Sequence, residues 1–359
     1  MKRNAIIFFG LSLLLVLLAG LDICVGSRWL SPWGEMTQIE RHILLTLRLP
    51  KMLTAIMAGM ALSVSGLMMQ TLFRNPLAGP YILGVSSGAG LGVALVTIGG
   101  MSIGLTIGGG NLLITLAAIA GSMLTLLLVL VIARRVKDNV SLLIVGMMIG
   151  SIASALVNIL QTFANPDALK LFITWTFGSL SSVGWKEIKI LVPIILAGML
   201  CAVFLIKKLD GLRLGENYAR GLGIGIGRTR LMIVLATGLL AGGVTVFCGP
   251  IAFIGVAVPH IARGLLRTSA HRLTLPATAL VGADLLLVCD MLCSLGTYPL
   301  PISTMSALFG APIIIWILLK KKGDEHLRRV FFVHLLRRVA RQGGWRRGGW
   351  CTSRYAYLA

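Results

Sequence analysis

The stretch TLFRNPLAGPYILGVSSGAG, residues 71–90, decides how the rest of the chain is interpreted. It lies between two strongly apolar runs, yet it contains an Arg, an Asn, two Pro, two Ser and four Gly. Proline interrupts a helix because it lacks an N–H and clashes with the preceding turn, while glycine allows close backbone contact. A plain membrane anchor needs neither property, so the stretch predicts an interruption inside a larger membrane protein.

The composition of the 359 residues is that of a protein with many membrane spans. Hydrophobic residues make up 57% and charged residues 13% of the chain, and the mean hydropathy is +0.91. A soluble domain of this size needs more charge on its surface. The net charge of +21 does not indicate nucleic-acid binding, because the basic residues lie at segment ends and 11 of the 33 fall within residues 320–359.

Ten apolar segments are long enough to cross a bilayer core of about 30 Å, or nearly so. The sequence therefore predicts an all-α polytopic fold with about ten transmembrane helices, a number that allows two inverted five-helix halves. The predicted spans are residues 5–25, 51–72, 80–100, 112–133, 141–162, 187–206, 231–248, 250–265, 275–295 and 301–319.

The distribution of Lys and Arg orients these spans. With the N-terminus in the cytoplasm, 15 basic residues outside the C-terminal region fall on the inner side and 7 on the outer side. Cytoplasmic loops of membrane proteins carry the excess of Lys and Arg. We therefore expect both termini in the cytoplasm, a transmembrane domain over residues 1–322, and a basic tail over residues 323–359 that is amphipathic or disordered.

Two of the predicted spans carry small or polar residues along a single face. In the second span the stripe is Gly59, Ser63, Gly66 and Gln70, and tight packing against a neighbouring helix is the favoured interpretation. The fifth span carries Gly146, Gly150, Ser154 and Asn158 every four residues, followed by Gln161. Here packing and the lining of a watery cavity remain equally open.

The predicted inner loop of residues 209–230 shows two separate features. Glu216 and Arg220 have the i, i+4 spacing that supports a short helix, which we expect to lie against a partner. Gly221 and Gly223 belong to a glycine series resembling a phosphate-binding loop, but no Lys-Ser or Lys-Thr pair follows it. The glycine series therefore does not predict a nucleotide-binding loop.

No enzymatic constellation emerges from the sequence. Asp22, Asp284 and Asp290 lie in or near spans, but Asp284 and Asp290 are six residues apart and therefore on different helix faces. There is no HExxH motif, nucleophile elbow or cysteine pattern with metal-ligand spacing, so we predict neither a bound metal nor a cofactor. A membrane enzyme and a structural scaffold remain the minor alternatives to a transporter.

Four segments in order resemble the permease subunits of ABC importers for iron–siderophores, haem and cobalamin. They are RLPKMLTAIMAGMALSVSGLMMQTLFRNPLAGPYILGVSSGAGLG (48–92), LGENYARGLGI (214–224), GPIAFIGVAVPHIAR (249–263) and LPISTMSALFGAPIIIWILLKKK (300–322). The resemblance covers residues 1–322. It implies an inner-membrane, multi-pass transport subunit without enzymatic activity, with ferric siderophore as the leading substrate and cobalamin or haem as the alternative.

The resemblance also implies partners and roles. The partners are a second permease copy in a homodimer, separate ABC ATPase subunits and a periplasmic or lipoprotein substrate-binding protein. The segment from Arg74 to Tyr81 is expected to form the cytoplasmic turn between the second and third helices. The pathway would follow the fifth-span stripe, from Gly146 to Gln161, and the gate would lie at Asn139 and Ser141. The residues expected to couple the permease to the ATPase are Leu214, Gly215, Glu216, Arg220, Gly221 and Gly223.

The outer surface both follows and departs from the family pattern. Arg48 and Lys51, at the outer start of the second span, match basic residues that dock the binding protein. However, Pro299 and Ser294 stand where the family usually has Glu and often has Arg. We therefore expect weaker docking than in typical members.

Overall fold

The structure is a computed structural model that describes residues 2–26, 36–100, 111–136, 138–295, 300–315 and 319. Within those ranges the regular secondary structure is entirely helical. We number the helices in chain order: α1 Lys2–Cys24, α2 Gln38–Phe73, α3 Val85–Gly100, α4 Asn111–Arg135, α5 Asn139–Thr162, α6 Pro166–Thr176, α7 Trp185–Phe204, α8 Ile206–Leu214, α9 Glu216–Gly221, α10 Ile226–Cys248, α11 Ile254–Leu266, α12 His271–Ser294 and α13 Ile302–Ile315.

Each of the ten predicted spans coincides with one of these helices, which confirms the predicted fold class. Seven of the described helices are long and apolar enough to cross a membrane: α1, α2, α4, α5, α7, α10 and α12. Helices α3, α11 and α13 are apolar but shorter. The remaining helices, α6, α8 and α9, belong to the connections between spans.

Helix α2 forms the centre of the compact unit Met1–Pro312. A Cβ atom on Gly59 would overlap the backbone of Gly282 in α12, and one on Gly66 would overlap the carbonyl of Gly255 in α11. The Ser63 hydroxyl donates to the carbonyl of Thr278 in α12 at 3.0 Å. The α2 stripe is therefore a packing surface, as predicted.

Two short helices occupy equivalent positions in the predicted halves. Helix α3 is the third of the ten predicted spans and α11 is the eighth, and each follows an irregular segment rich in Gly and Pro. Irregular backbone at membrane depth occurs where it is buried in protein or lines a cavity. This correspondence is expected for two inverted five-helix halves, which remain a prediction.

Helix ends assigned to the same side of the membrane contact each other. On the inner side, the Arg3 guanidinium donates to the carbonyl of Leu266 at the end of α11, at 2.9 Å. On the outer side, Arg48 donates to the carbonyl of Cys24 at the end of α1, also at 2.9 Å. The predicted tail of residues 323–359 lies outside the described residues.

Candidate functional site: a groove along helix α5 and its inner junction

A surface groove of about 570 Å³ follows one face of α5. Its lining is uncharged and consists of small, hydroxyl, amide and apolar groups: Tyr81, Ile82, Gly84, Ser87, Gly146, Met147, Gly150, Ser151, Ser154, Ala155 and Asn158. The structure thus brings four of the five predicted pathway residues together. Gln161 is not part of this lining, since it lies half-buried at the outer end of the helix.

The α5 stripe has two different environments along its length. A Cβ on Gly146 would lie 2.6 Å from the carbonyl oxygen of Ile82, so this end of the stripe is tightly packed. The nearest atoms to a Cβ on Gly150 lie at 3.5 Å, which is ordinary contact. Farther out, Ser154 and Asn158 are exposed on the groove surface. The stripe therefore packs at its inner half and lines the groove at its outer half.

The irregular segment before α3 reaches deeper than the cytoplasmic turn expected from the resemblance. Gly84 lies against Gly146 and Gly150, which are about 10–16 Å along α5 from its inner start. Gly84 has φ +72°, a conformation that strains other residues, so this close contact requires glycine. Correcting the expectation, Tyr81 lies away from the turn, where its hydroxyl accepts from the N–H of Ile251 at 3.2 Å.

The irregular segment before α11 and α11 itself both contact the irregular segment before α3. The ring of His260, within α11 itself, donates from Nε2 to the carbonyl of Pro76 at 2.8 Å, so α11 also contacts the irregular segment before α3. Phe253 adopts φ +65°, which is rare for an aromatic residue. Tyr81, Ser87 and Ser151 were missed as groove residues. Of the three, only Ser151 could have been predicted from the sequence, because its helical spacing from Met147 and Ser154 places it beside the α5 stripe.

The predicted gate residues form the inner start of α5. Asn139 donates to the carbonyl of Leu72 at 2.8 Å and to the Glu216 carboxylate at 2.7 Å. The backbone N–H of Ser141 donates to Asp138 at 2.7 Å, and this hydrogen bond lowers the pKa of the Asp138 carboxyl. Asn139 therefore connects the groove helix with α2 and with the predicted coupling helix.

The predicted coupling loop consists of two helices joined at a glycine. Helix α8 ends at Leu214, which is exposed, and α9 begins at Glu216. Gly215 between them has φ +126°, so the sharp turn requires its lack of a side chain. Gly221 has open space around it, while Gly223 has φ +76° in equally open surroundings. These features present α9 at the cytoplasmic surface, as the i, i+4 spacing indicated.

Glu216 is the central residue of this inner junction. Besides accepting from Asn139, its carboxylate lies 3.7 Å from the Arg220 guanidinium and 3.6 Å from that of Arg230. Arg230 is buried and also donates to the carbonyl of Val136 at 2.8 Å. A movement of α9 would therefore act directly on the inner ends of α4, α5 and α10. The sequence indicated only the Glu216–Arg220 pair, because Asn139 is distant along the chain and Arg230, although in the same predicted loop, lies on the next helix beyond a turn.

The two predicted docking residues have partners within the chain. Arg48 donates to the carbonyls of Ile23 and Cys24 and so caps the end of α1. Lys51 lies 2.9 Å from the buried carboxylate of Asp290 and donates to the Ser294 hydroxyl at 2.7 Å. A role in docking stays a prediction, but substitutions here would also disturb α1 and α12.

Of the other acidic groups in the spans, Asp22 lies beside Asp290 and Lys51, whereas Asp284 lies apart from them. The two carboxylate oxygens of Asp284 are buried without a hydrogen-bond partner among the described residues. Asp22 is buried near the outer end of α1. Across the described part of the chain, no three His, Cys, Asp or Glu side chains converge as metal ligands. The arrangement that the described residues form is a groove along α5 with a polar junction at its inner end.

A family model and individual relatives indicate the same family of transport proteins. Residues 8–320 match the model of the FecCD transport family. The vitamin B12 import system permease BtuC of Klebsiella pneumoniae is 36% identical over 327 residues, which cover 90% of this chain and 96% of the relative. BtuC of Salmonella paratyphi A is 37% identical over 325 residues, covering 89% and 96%.

A solved structure agrees with the fold. It is described as a metal-chelate type ABC transporter in an inward-facing conformation, and it aligns with a TM-score of 0.79 and 30% identity over 87% of this chain and 98% of its own. Membership implies ATPase and substrate-binding partners and a dimer of permeases. The chain belongs to the FecCD transport family and is a multi-pass permease subunit of a bacterial inner-membrane ABC importer.

Proposed function

We propose that this permease imports a cobalamin-type corrinoid. The observation that carries the proposal is the uncharged lining of the α5 groove, which offers hydroxyl and amide groups and no fixed charge. A corrinoid is bulky and is surrounded by carboxamide groups, which such a lining can bind weakly. Weak binding is needed for passage, because a substrate held by strong contacts would not leave.

The relatives support a corrinoid over the ferric siderophore predicted from sequence. Both BtuC relatives are named for vitamin B12 import, and each matches nearly the whole of this chain. Many ferric siderophores are anionic, and a pathway for them would gain from basic side chains, which the described groove lining lacks. Ferric siderophore and haem therefore become the competing substrates in the test.

The proposed mechanism joins the groove to the ATPase through the inner junction. Two copies of α5 face each other in a homodimer, with Gly146, Gly150, Ser154, Asn158 and Gln161 along the pathway. Asn139 and Ser141 lie at its inner constriction. ATP-driven movement of α9 is transmitted by Glu216 to Asn139 at 2.7 Å, so that the α5 helices shift at their inner ends. Small shifts of packed helices suffice for such a gate.

The coupling surface and the docking surface act at opposite ends. Leu214, Gly215, Glu216, Arg220, Gly221 and Gly223 form the surface that meets the ATPase. Arg48 and Lys51 mark the outer surface that receives the binding protein, where rim charges mainly affect the rate of association. Because Ser294 is uncharged where the family often has Arg, and because Lys51 is paired with the Asp290 carboxylate, we propose a docking surface with less positive potential than that of typical members.

Substrate uptake tests the proposal. The chain, its ATPase and its binding protein are expressed in a strain lacking endogenous import, and accumulation of labelled cyanocobalamin, ferric siderophore and haem is measured. We expect cobalamin accumulation that unlabelled cobalamin abolishes and excess ferric siderophore does not. A control strain carries a catalytically inactive ATPase. Accumulation of ferric siderophore or haem without cobalamin would overturn the proposed substrate.

A further inference from the structure

A second cavity, of about 390 Å³, lies at the inner ends of α4 and α10, away from the α5 groove. Its lining combines arginines with apolar and small groups: Ala133, Arg134, Val136, Arg220, Ile226, Gly227, Arg228, Arg230 and Leu231. None of these residues belongs to the groove. We call this cavity the arginine pocket.

Positive charge in the arginine pocket exceeds the negative charge around it. Arg220 and Arg230 share one carboxylate, that of Glu216, at 3.7 and 3.6 Å. Arg134 and Arg228 have neither a hydrogen bond nor an ion pair within the part of the chain that the structure describes. Four guanidinium groups around one cavity repel one another unless an anion reduces that repulsion.

The backbone of α10 adds to this preference for an anion. The helix is 23 residues long, and its first turn, which includes Gly227, lines the pocket. Gly225 precedes the helix and supplies no side-chain cap. The first N–H groups of a helix have no partner within it and carry a partial positive charge. A Cβ on Gly227 would meet nothing within 4 Å, so a ligand can approach this backbone closely.

Exposed apolar residues continue from the pocket toward the membrane. On α4, Leu127, Leu128 and Val131 are 56%, 46% and 57% exposed in the turns before Arg134. On α10, Leu235 is 41% exposed, two turns beyond Arg228. A spanning helix that exposes such residues presents them to acyl chains. A phospholipid whose acyl chains lay along α4 and α10 would therefore have its headgroup at the arginine pocket.

We propose that the arginine pocket binds the phosphate headgroup of an anionic phospholipid of the inner leaflet. The general excess of basic residues on cytoplasmic sides explains the sign of the charge but not its convergence around a cavity with an open helix end. Arg220 and Arg230 contact Glu216 of α9, so the headgroup competes with that carboxylate for the same guanidinium groups. The bound lipid therefore modulates how firmly the coupling helix is held.

Association of spin-labelled lipid with the purified importer tests the proposal. Labelled phosphatidylglycerol and labelled phosphatidylcholine are compared in otherwise identical nanodiscs. We expect the wild type to prefer phosphatidylglycerol, and Arg134→Gln with Arg228→Gln to reduce that preference about thirtyfold, since each of the two basic contacts contributes on the order of 1 kcal/mol. The matched control is Arg135→Gln with Arg272→Gln, which removes equal charge at exposed inner positions outside the pocket.

Each other outcome would overturn the proposal. Equal association of both lipids with the wild type would exclude a headgroup site. If the pocket and control variants lost the preference for phosphatidylglycerol equally, that preference would come from general surface charge and not from the pocket. Displacement of phosphatidylglycerol by inorganic phosphate, but not by chloride at matched ionic strength, would assign the pocket to a soluble anion. Melting temperatures of both double variants confirm that folding is retained, and Arg134→Lys with Arg228→Lys should restore most of the preference.

Discussion

Helices α2 and α5 carry nearly the same sequence pattern and have different surroundings. Each has small or polar residues every three or four positions along one face, ending in an amide: Gly59, Ser63, Gly66 and Gln70 in α2, and Gly146, Gly150, Ser154 and Asn158 in α5. The α2 stripe is buried along its whole length against α11 and α12. The α5 stripe meets one irregular segment at its inner half and is open beyond it.

The difference shows what a small-residue stripe determines. A stripe of small residues allows the backbone of a neighbouring segment to approach closely, but it does not determine whether the fold places such a segment beside it. In α2 the stripe meets two regular helices that supply backbone along its length. In α5 the segment ending at Gly84 turns away after Gly150, and the hydroxyl and amide groups farther out are left facing open space. Packing and lining are thus two consequences of one pattern.

The largest expected effect is loss of folding on placing a methyl group in the α2 stripe. Gly66→Ala directs a Cβ into the carbonyl of Gly255, where only backbone movement could relieve the overlap. We expect destabilisation of at least about 3 kcal/mol and little folded protein, measured by thermal unfolding and yield in detergent. Gly150→Ala is the control, because its Cβ would lie 3.5 Å from its nearest neighbours. Equal stability of the two variants would remove the distinction between the stripes.

The next effect is a block of transport without loss of folding. Ser154→Trp places a large side chain in the α5 groove, and we expect uptake to fall at least about tenfold because the passage narrows. Ile152→Trp is the matched control, since Ile152 is 62% exposed on the apolar side of the same helix. Both variants should show similar melting temperatures. Undiminished uptake by Ser154→Trp would show that the pathway lies elsewhere.

Thiol labelling sharpens the comparison within α5 itself. In a background without native cysteines, Ser154→Cys and Asn158→Cys should react with a water-soluble reagent about tenfold faster than Ile152→Cys and Leu156→Cys. The latter pair is exposed but apolar, so in a bilayer it faces lipid rather than water. Substrate together with the binding protein should protect position 154. Similar rates at all four positions would contradict a watery groove on one face.

The smallest expected effect concerns the amide side chains at the inner ends of α5 and α2. Asn139→Ala removes the bonds from α5 to Glu216 and to the carbonyl of Leu72, and we expect about fivefold less uptake per ATP hydrolysed together with a stability loss of about 1–2 kcal/mol. Gln70→Ala removes buried bonds to Val256 and Arg263, so it should cost about 2 kcal/mol of stability and leave coupling unchanged. Uptake, ATP hydrolysis and melting temperature are measured together. If Gln70→Ala lost coupling and Asn139→Ala did not, Gln70 would be the coupling residue and Asn139 a packing residue.

Much of the fold could be predicted because membrane spans are local features. Runs of apolar residues and the distribution of Lys and Arg indicated all ten helices, and the i, i+4 pair indicated the position of α9. Two partners of Glu216 could not be predicted, because Asn139 is 77 residues away and Arg230 reaches it from another helix after a turn of the chain. The contacts of Arg48 and Lys51 within the chain were likewise hidden, since a basic residue near a span end is equally compatible with an exposed rim.

The sequence by itself determined that this protein is an all-helical, multi-span membrane protein, because hydrophobic length and charge asymmetry act on each segment separately. The permease function was indicated by the resemblance of four segments to a known family. The sequence also placed Pro and Gly where helices must break. Only the tertiary structure decided that the segment after Arg74 reaches the middle of α5, that two similar stripes have different surroundings, and that four arginines converge on one cavity. These features depend on which helices become neighbours, and that depends on backbone contacts between segments distant along the chain.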